Sequence, residues 1–314
     1  MVTVLHHTQA DAMAPVRARF PDVSFLPIPM TGTLPDNAVG DVLLTTAIGG
    51  DTLVAALERG VRWVHTIGTG VDRFPVEAVH ADQMLTCSRG ASAVPIAEWA
   101  LAMMLAFEKR LPASWISAPP EAPRRWHQAD IGGLHGETVA ILGLGFIGVE
   151  VARRALAFGM HVRGVRRHTT SAAPLDGIDM VATAAEAVQG ARHIVIATPL
   201  TPLTRNLVDA TLLARCTPGA HLVNIARGAI IDTDALRAAL DNGTMACASL
   251  DTVEPEPLPE GHWLYSHPNV RLSPHISWCM PSAMPLLYSM FGDNLERFLH
   301  GEPLAGHVDR AERY

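Results

Sequence analysis

The chain has few cysteines and no excess of basic charge. The four cysteines, Cys87, Cys216, Cys247 and Cys279, stand far apart in 314 residues and show no CxxC spacing. That scarcity argues against a disulfide-built scaffold or a thiolate metal site, and suits reduced thiols in a cytoplasmic protein. Lys and Arg number 24 against 31 Asp and Glu, for a net charge of −7. Nucleic-acid binding needs clustered cations to neutralise phosphates, so this balance speaks against it. No apolar run reaches the roughly 18 residues that a spanning helix needs, so no membrane segment is expected. The start, "MVTVLHHTQA", lacks a basic segment followed by an apolar core, so no signal peptide is expected. Fifteen histidines are present, but none in HxxxH or HExxH spacing, and no metal site is expected.

What the chain has is alternation. Its length exceeds what one hydrophobic core usually serves, so two domains are expected. Apolar runs at 138–142, 161–165, 193–198, 221–226, 246–251 and 270–274 are separated by helical patterns at 147–158, 184–189, 209–214 and 233–240. Such alternation predicts a parallel sheet wrapped by helices, and near-continuous apolar strands fit burial on both faces. The first hundred residues repeat the theme less clearly. Strands are expected at 2–5, 41–46 and 62–67, with a helix over 50–60, as a smaller α/β domain. A helical pattern over 95–110 links the two, and the proline-rich 112–126 reads as irregular.

"AILGLGFIGVEVA" places Gly143, Gly145 and Gly148 in GxGxxG spacing after an apolar strand and at the opening of a helix. In that context the pattern predicts dinucleotide binding. Gly143 permits the tight turn, Gly145 lets backbone approach a pyrophosphate, and Gly148 lets helix and strand pack closely. The N–H groups of Phe146 and Ile147 would face the anion. About 20 residues on, where an acidic residue would meet the ribose of NAD, stand Arg166 and Arg167. Guanidinium groups donate bidentate, charge-assisted bonds to phosphate. They predict NADP(H) in preference to NAD(H), with NAD(H) as the alternative.

Three more stretches bring polar groups to strand ends: "VNIARGAIID" with Arg227, "ASLDTVEPEPLP" with Asp251, Glu254 and Glu256, and "RLSPHISW" with His275. Open α/β sheets bind ligands at such ends. Histidine, with an ordinary pKa near 6.5, exchanges protons at neutral pH, and a carboxylate beside it orients the ring.

With these stretches in place, the sequence resembles the D-isomer-specific 2-hydroxyacid dehydrogenases over almost its whole length. The resemblance rests on "TGVDRFP" (69–75), "VPIAEWALAMMLA" (94–106), "GLGFIG" (143–148), "TPLTPLTRNLV" (198–208), "NIARGAIID" (224–232), "DTVEPEPLP" (251–259), "SPHIS" (273–277) and "NLERFLHGEPL" (294–304), in that order. It implies two Rossmann-like doubly wound domains with a cleft between them, the nucleotide domain (98–285) inserted in a substrate domain (1–97 and 286–314). It implies catalytic roles for Arg227, Glu256 and His275. Glu254 sits in the same "EPEP", and the family spacing favours Glu256. Thr198, Pro199, Ile225, Ala226 and Asp251 would join Arg227 and His275 around the cofactor. Asp251 would hold the nicotinamide carboxamide. The substrate carboxylate would meet Gly68, Thr69 and Gly70 as a backbone anion nest, together with Arg227 and His275.

The implied activity is NADPH-dependent reduction of a small 2-oxo acid to the D-2-hydroxy acid, with glyoxylate and hydroxypyruvate as leading substrates, in a cytoplasmic homodimer. The alternatives are an NAD-dependent dehydrogenase acting on D-lactate or phosphoglycerate, the latter weakened by the short C-terminus, and an NAD(H)-sensing corepressor-like binder. One departure from the family stands out. Trp278, Cys279 and Met280 follow the histidine motif where small residues are common. A bulky indole there would either reshape the substrate pocket or pack between domains.

Overall fold

The computed structural model describes residues 1–9, 11–115, 131–167 and 173–314. The chain divides into two compact units: Met1–Ser92 with Cys279–Tyr314, and Ala93–Trp278. The helix expected from Pro95 begins at Ala93 and lies with the second unit.

The first unit holds β1 (Thr3–His6), α1 (Ala14–Arg19), β2 (Ser24–Pro27), β3 (Val42–Thr46), α2 (Leu53–Leu57), β4 (Trp63–Ile67), β5 (Met84–Cys87) and α8 (Ala283–His300). Its parallel sheet runs β2-β1-β3-β4-β5. Side chains alternate faces along a strand, and the two cores follow that period. Leu5, Leu43, Val64 and Leu85 share one core, while Val4, Val42, Leu44 and Trp63 meet Phe291 and Leu295 of α8 in the other. The helix expected over 50–60 shrinks to Leu53–Leu57. Gly49, Gly50 and Gly60 have φ of 80°, 119° and 89°, outside helical geometry, and so become turns.

The second unit holds α3 (Ala93–Glu108), β6 (Thr138–Leu142), α4 (Phe146–Ala157), β7 (His161–Val165), β8 (Ile178–Met180), α5 (Ala184–Val188), β9 (His193–Ile196), α6 (Ala210–Leu213), β10 (Ala220–Asn224), α7 (Thr233–Asp241), β11 (Met245–Leu250) and β12 (Val270–Leu272). Its sheet runs β12-β11-β10-β9-β6-β7-β8, all parallel. Val139, Ile141, Val162, Val195 and Val223 face α3 and α4, while Ala140, Leu142, Ile194, Ile196 and Leu222 face α5, α6 and α7. This two-faced burial explains why the strands read as unbroken apolar runs. The chain leaves β6 for β7 and β8 on one side, then returns to β9 on the other. That reversal opens a crevice at the carboxyl ends of β6 and β9, where sheets of this kind take ligands.

The proline-rich stretch expected to be irregular lies, from residue 116, outside the described residues. Among the described residues no helix is long and apolar enough to cross a membrane.

Candidate active site

The glycine turn begins at the crevice. Gly143 follows β6 with φ of 109°, and a Cβ there would stand 2.7 Å from the backbone nitrogen of Thr198 and 2.8 Å from the carbonyl carbon of Ala197. Only glycine tolerates both the conformation and that approach to the end of β9. Gly148, in the first turn of α4, would carry its Cβ 1.9 Å from the Gly143 carbonyl oxygen, so helix and strand touch through bare backbone. Gly145 caps α4, is exposed, and has nothing within 4 Å of a Cβ position. The turn thus leaves open space above a helix start whose N–H groups lack intrahelical partners. A pyrophosphate fits this arrangement in shape and charge. Arg166 and Arg167 follow directly on β7, whose Val165 carbonyl accepts a bond of 3.0 Å from Gly143 N–H. The arginines therefore stand beside the glycine turn, Arg166 half-buried and Arg167 exposed. Thr198 and Pro199 follow β9 at the same edge.

The next three strand ends carry the remaining polar groups. Asn224, buried at the end of β10, accepts the Ala226 N–H at 3.0 Å and donates to the Arg227 carbonyl at 3.0 Å. This side chain folds the chain over itself, leaving Ile225 buried and turning Arg227 out half-buried. The Arg227 Nη1 donates to the Ala226 carbonyl at 2.8 Å. Gly228 comes next, and a Cβ on it would lie 2.0 Å from the carbonyl carbon of Val253. The loop bearing Arg227 and the loop bearing Glu256 are therefore in direct backbone contact.

Asp251, at the end of β11, is 1% exposed. Its Oδ1 accepts the Ser273 hydroxyl at 2.5 Å and the Ile276 N–H at 2.9 Å, and its Oδ2 accepts the Ser277 N–H at 2.9 Å. Its carbonyl accepts the His275 N–H at 2.9 Å. A buried carboxylate is costly unless hydrogen-bonded. Here three donors from one loop supply that satisfaction, and the loop after β12 is wrapped around Asp251 as a result. His275, in the middle of the wrap, has φ of 55°, a left-handed conformation unusual for a side chain of its size.

The wrap directs the imidazole at an acid. His275 Nδ1 lies 3.1 Å from Glu256 Oε1 and 3.2 Å from Oε2. An ionised carboxylate only accepts, so Nδ1 carries the hydrogen of this bond, and Nε2 is left as the nitrogen that exchanges a proton. Glu254 is exposed and makes no such bond. Trp278 donates its indole N–H to the His275 carbonyl at 3.0 Å and packs against the α3–α4 core. The indole thus belongs to the core of its own unit.

Arg227, Glu256, His275, Asp251, Ile225, Ala226, the glycine turn and the two arginines all lie in the second unit, along one edge of its sheet. Gly68, Thr69 and Gly70 lie in the first unit, after β4, where Gly68 has φ of 122°. A cavity of about 440 Å³ lined by Phe107, Glu108, Arg192 and Arg271 opens at the opposite edge of the second sheet, away from these residues. The residues that shape the loops, Asn224, Ser273 and Ser277, escaped the sequence reading. Their one signal is a polar side chain at the end of an apolar strand or beside the histidine.

Residues 101–277, more than half of the chain, match the family described as D-isomer specific 2-hydroxyacid dehydrogenase, NAD binding domain. The chain belongs to that family. Its members are NAD(P)-dependent oxidoreductases acting on hydroxyacids. Among similar dehydrogenases, the D-3-phosphoglycerate dehydrogenase of Bacillus subtilis (strain 168) is 33% identical over 246 residues, which cover 77% of this chain and 46% of that protein. The chain therefore spans about half the length of that relative. Glyoxylate/hydroxypyruvate reductase A of Serratia proteamaculans (strain 568) is 31% identical over 227 residues, covering 69% of this chain and 71% of that protein. A D-isomer specific 2-hydroxyacid dehydrogenase of Xanthobacter autotrophicus Py2, crystallised with NADPH and MES, superposes with a TM-score of 0.82 at 25% identity, covering 100% of this chain and 99% of that one. Two parallel-sheet units, one carrying the dinucleotide fold, are what this dehydrogenase family presents.

Proposed function

We propose that this protein reduces a small 2-oxo acid to the D-2-hydroxy acid with NADP(H) as the hydride source. The observation that carries the reading is the His275–Glu256 pair beside Arg227, at the carboxyl edge of a sheet that also bears the glycine turn. The nicotinamide, when bound, supplies the hydride to the carbonyl carbon. His275 gives the carbonyl oxygen its proton from Nε2, while Glu256 holds Nδ1–H and fixes the ring. Arg227 binds the substrate carboxylate and polarises the carbonyl through its paired donors. In the first unit, Gly68, Thr69 and Gly70 after β4 offer backbone N–H groups as an anion nest. Among the described residues the Ser277 N–H is the donor that reaches Asp251 Oδ2, and a carboxylate oxygen has a further acceptor position for the nicotinamide carboxamide.

The second unit takes the dinucleotide and the first the substrate. Arg166 and Arg167 support NADP(H), because an anionic 2′-phosphate suits two guanidinium groups beside the pyrophosphate turn. The Xanthobacter relative crystallised with NADPH supports the cofactor reading, and the glyoxylate/hydroxypyruvate reductase A of Serratia supports glyoxylate or hydroxypyruvate as the substrate. A cytoplasmic homodimer completes the reading, and sedimentation tests the assembly. A panel of 2-oxo acids, followed by NADPH and NADH absorbance, tests the reaction. Reduction of glyoxylate or hydroxypyruvate, faster with NADPH, is expected. Higher catalytic efficiency with NADH overturns the cofactor preference, and no reduction of any oxo acid overturns the function. His275→Ala is expected to abolish turnover and leave NADPH binding intact; full activity in that variant refutes its role.

A further inference from the structure

We propose that Trp278 is a positioning residue for His275, acting through the indole N–H that it donates to the His275 carbonyl oxygen. The inference rests on the reading of His275 as the proton donor and adds a residue to it. The backbone of His275 sits in a sparsely populated conformation. Its φ of 55° is left-handed, where few non-glycine residues lie, histidine more often than most. Such a residue relaxes unless its neighbours hold it from both sides. On the amide side, its N–H donates to the Asp251 carbonyl at 2.9 Å. On the carbonyl side, the hold is the Trp278 indole N–H at 3.0 Å. The Asp251 carboxylate fixes Ser273, Ile276 and Ser277, but none of its bonds reaches the His275 carbonyl.

The tether has a firm base. Trp278 is half-buried and packs against the cluster formed by α3, α4 and the sheet. A small residue at this position would carry neither the donor nor the packing. The chain leaves the second unit immediately after Trp278, so the indole anchors the histidine loop at its last point inside that unit. The position of the imidazole follows from its backbone. With the carbonyl released, the peptide plane after His275 turns, and the Nδ1 contact to both Glu256 oxygens loosens. The ring is then in place for proton delivery a smaller fraction of the time. That loss lowers kcat and leaves the cofactor site, built on the glycine turn, untouched.

The test compares Trp278→Phe with a variant carrying benzothienylalanine at position 278, which keeps the indole shape and lacks the N–H. Removing one neutral hydrogen bond sets the expected scale at about fivefold. In both variants kcat for oxo-acid reduction is expected to fall about fivefold or more, with the KM for NADPH unchanged and the melting temperature near wild type. The His275 Nδ1–H, observed by NMR, is expected to exchange with solvent about fivefold faster or more. Wild-type kcat and wild-type exchange in the benzothienylalanine variant overturn the proposal, even if Trp278→Phe fails to fold. A uniform loss, in which melting temperature, NADPH KM and kcat all worsen together, also overturns it and leaves Trp278 as packing alone. If the wild-type protein reduces no oxo acid, the reductase reading fails separately, and the exchange measurement still decides the tether.

Discussion

Asp251→Asn is the sharpest perturbation of the histidine loop, because it changes one atom and leaves volume intact. The carboxylate accepts three donors with two oxygens: two at Oδ1 and one at Oδ2. The amide must turn its NH₂ toward one side. Facing Ser273 and Ile276, the NH₂ still donates to the serine hydroxyl oxygen, so either orientation leaves one buried N–H, that of Ile276 or of Ser277, without its acceptor. One charge-assisted bond is then lost, at roughly 1.5–3 kcal/mol, and a buried N–H is left unsatisfied, at roughly 1–3 kcal/mol. The sum is about 2.5–6 kcal/mol, since Asp251 is 1% exposed and water does not replace the lost partner. For a unit of this size that is a fall of roughly 5–24 °C in melting temperature. If the loop escapes the penalty by shifting instead, the cost appears in kcat, which drops more than tenfold as His275 moves off Glu256. Thermal melting and steady-state kinetics on the same preparation register both routes. Wild-type melting and wild-type kcat, with only cofactor KM raised, would refute the idea that Asp251 shapes the loop.

Three further outcomes are expected. His65, fully buried between Thr86 and Ser88, has its pKa pushed down to about 3 by desolvation. The unfolded chain titrates this group near 6.5, so between the two values the unfolded state holds more protons and stability falls as pH drops; from pH 6.5 to 5 the loss is about 2 kcal/mol. Urea denaturation at pH 7 and 5 should show that much less pH sensitivity in His65→Gln, and an equal loss in both proteins would contradict it. Gly148→Ala places a methyl 1.9 Å from the Gly143 carbonyl oxygen, so α4 must shift from β6. Dinucleotide affinity by fluorescence titration is expected to weaken at least about tenfold, and unchanged affinity would count against the turn as the pyrophosphate site. Replacing Arg166 and Arg167 together by Ser removes two charge-assisted donors, so the catalytic efficiency with NADPH is expected to fall about 10–100-fold while NADH changes little. Equal losses with both cofactors would remove the arginines from 2′-phosphate recognition.

Local chemistry made much of this protein legible in one dimension. The glycine spacing announced the turn because positive φ and a missing Cβ are properties of single residues. The strands of the second unit were visible as apolar runs because both faces of that sheet are covered. Not every short element was visible. β2, β5 and β8 have three or four residues each, too few to establish a period, and only pairing with a neighbouring strand holds them.

The amino-acid order by itself determined the strand-turn-helix that opens α4, the arginines after β7, and the presence of an arginine, three acids and a histidine at strand ends. Tertiary structure alone decided that Asp251, Asn224 and Trp278 hold the loops. Those contacts span up to 26 residues of chain. They depend on a buried carboxylate collecting donors, and burial comes into being only when the sheet closes over it.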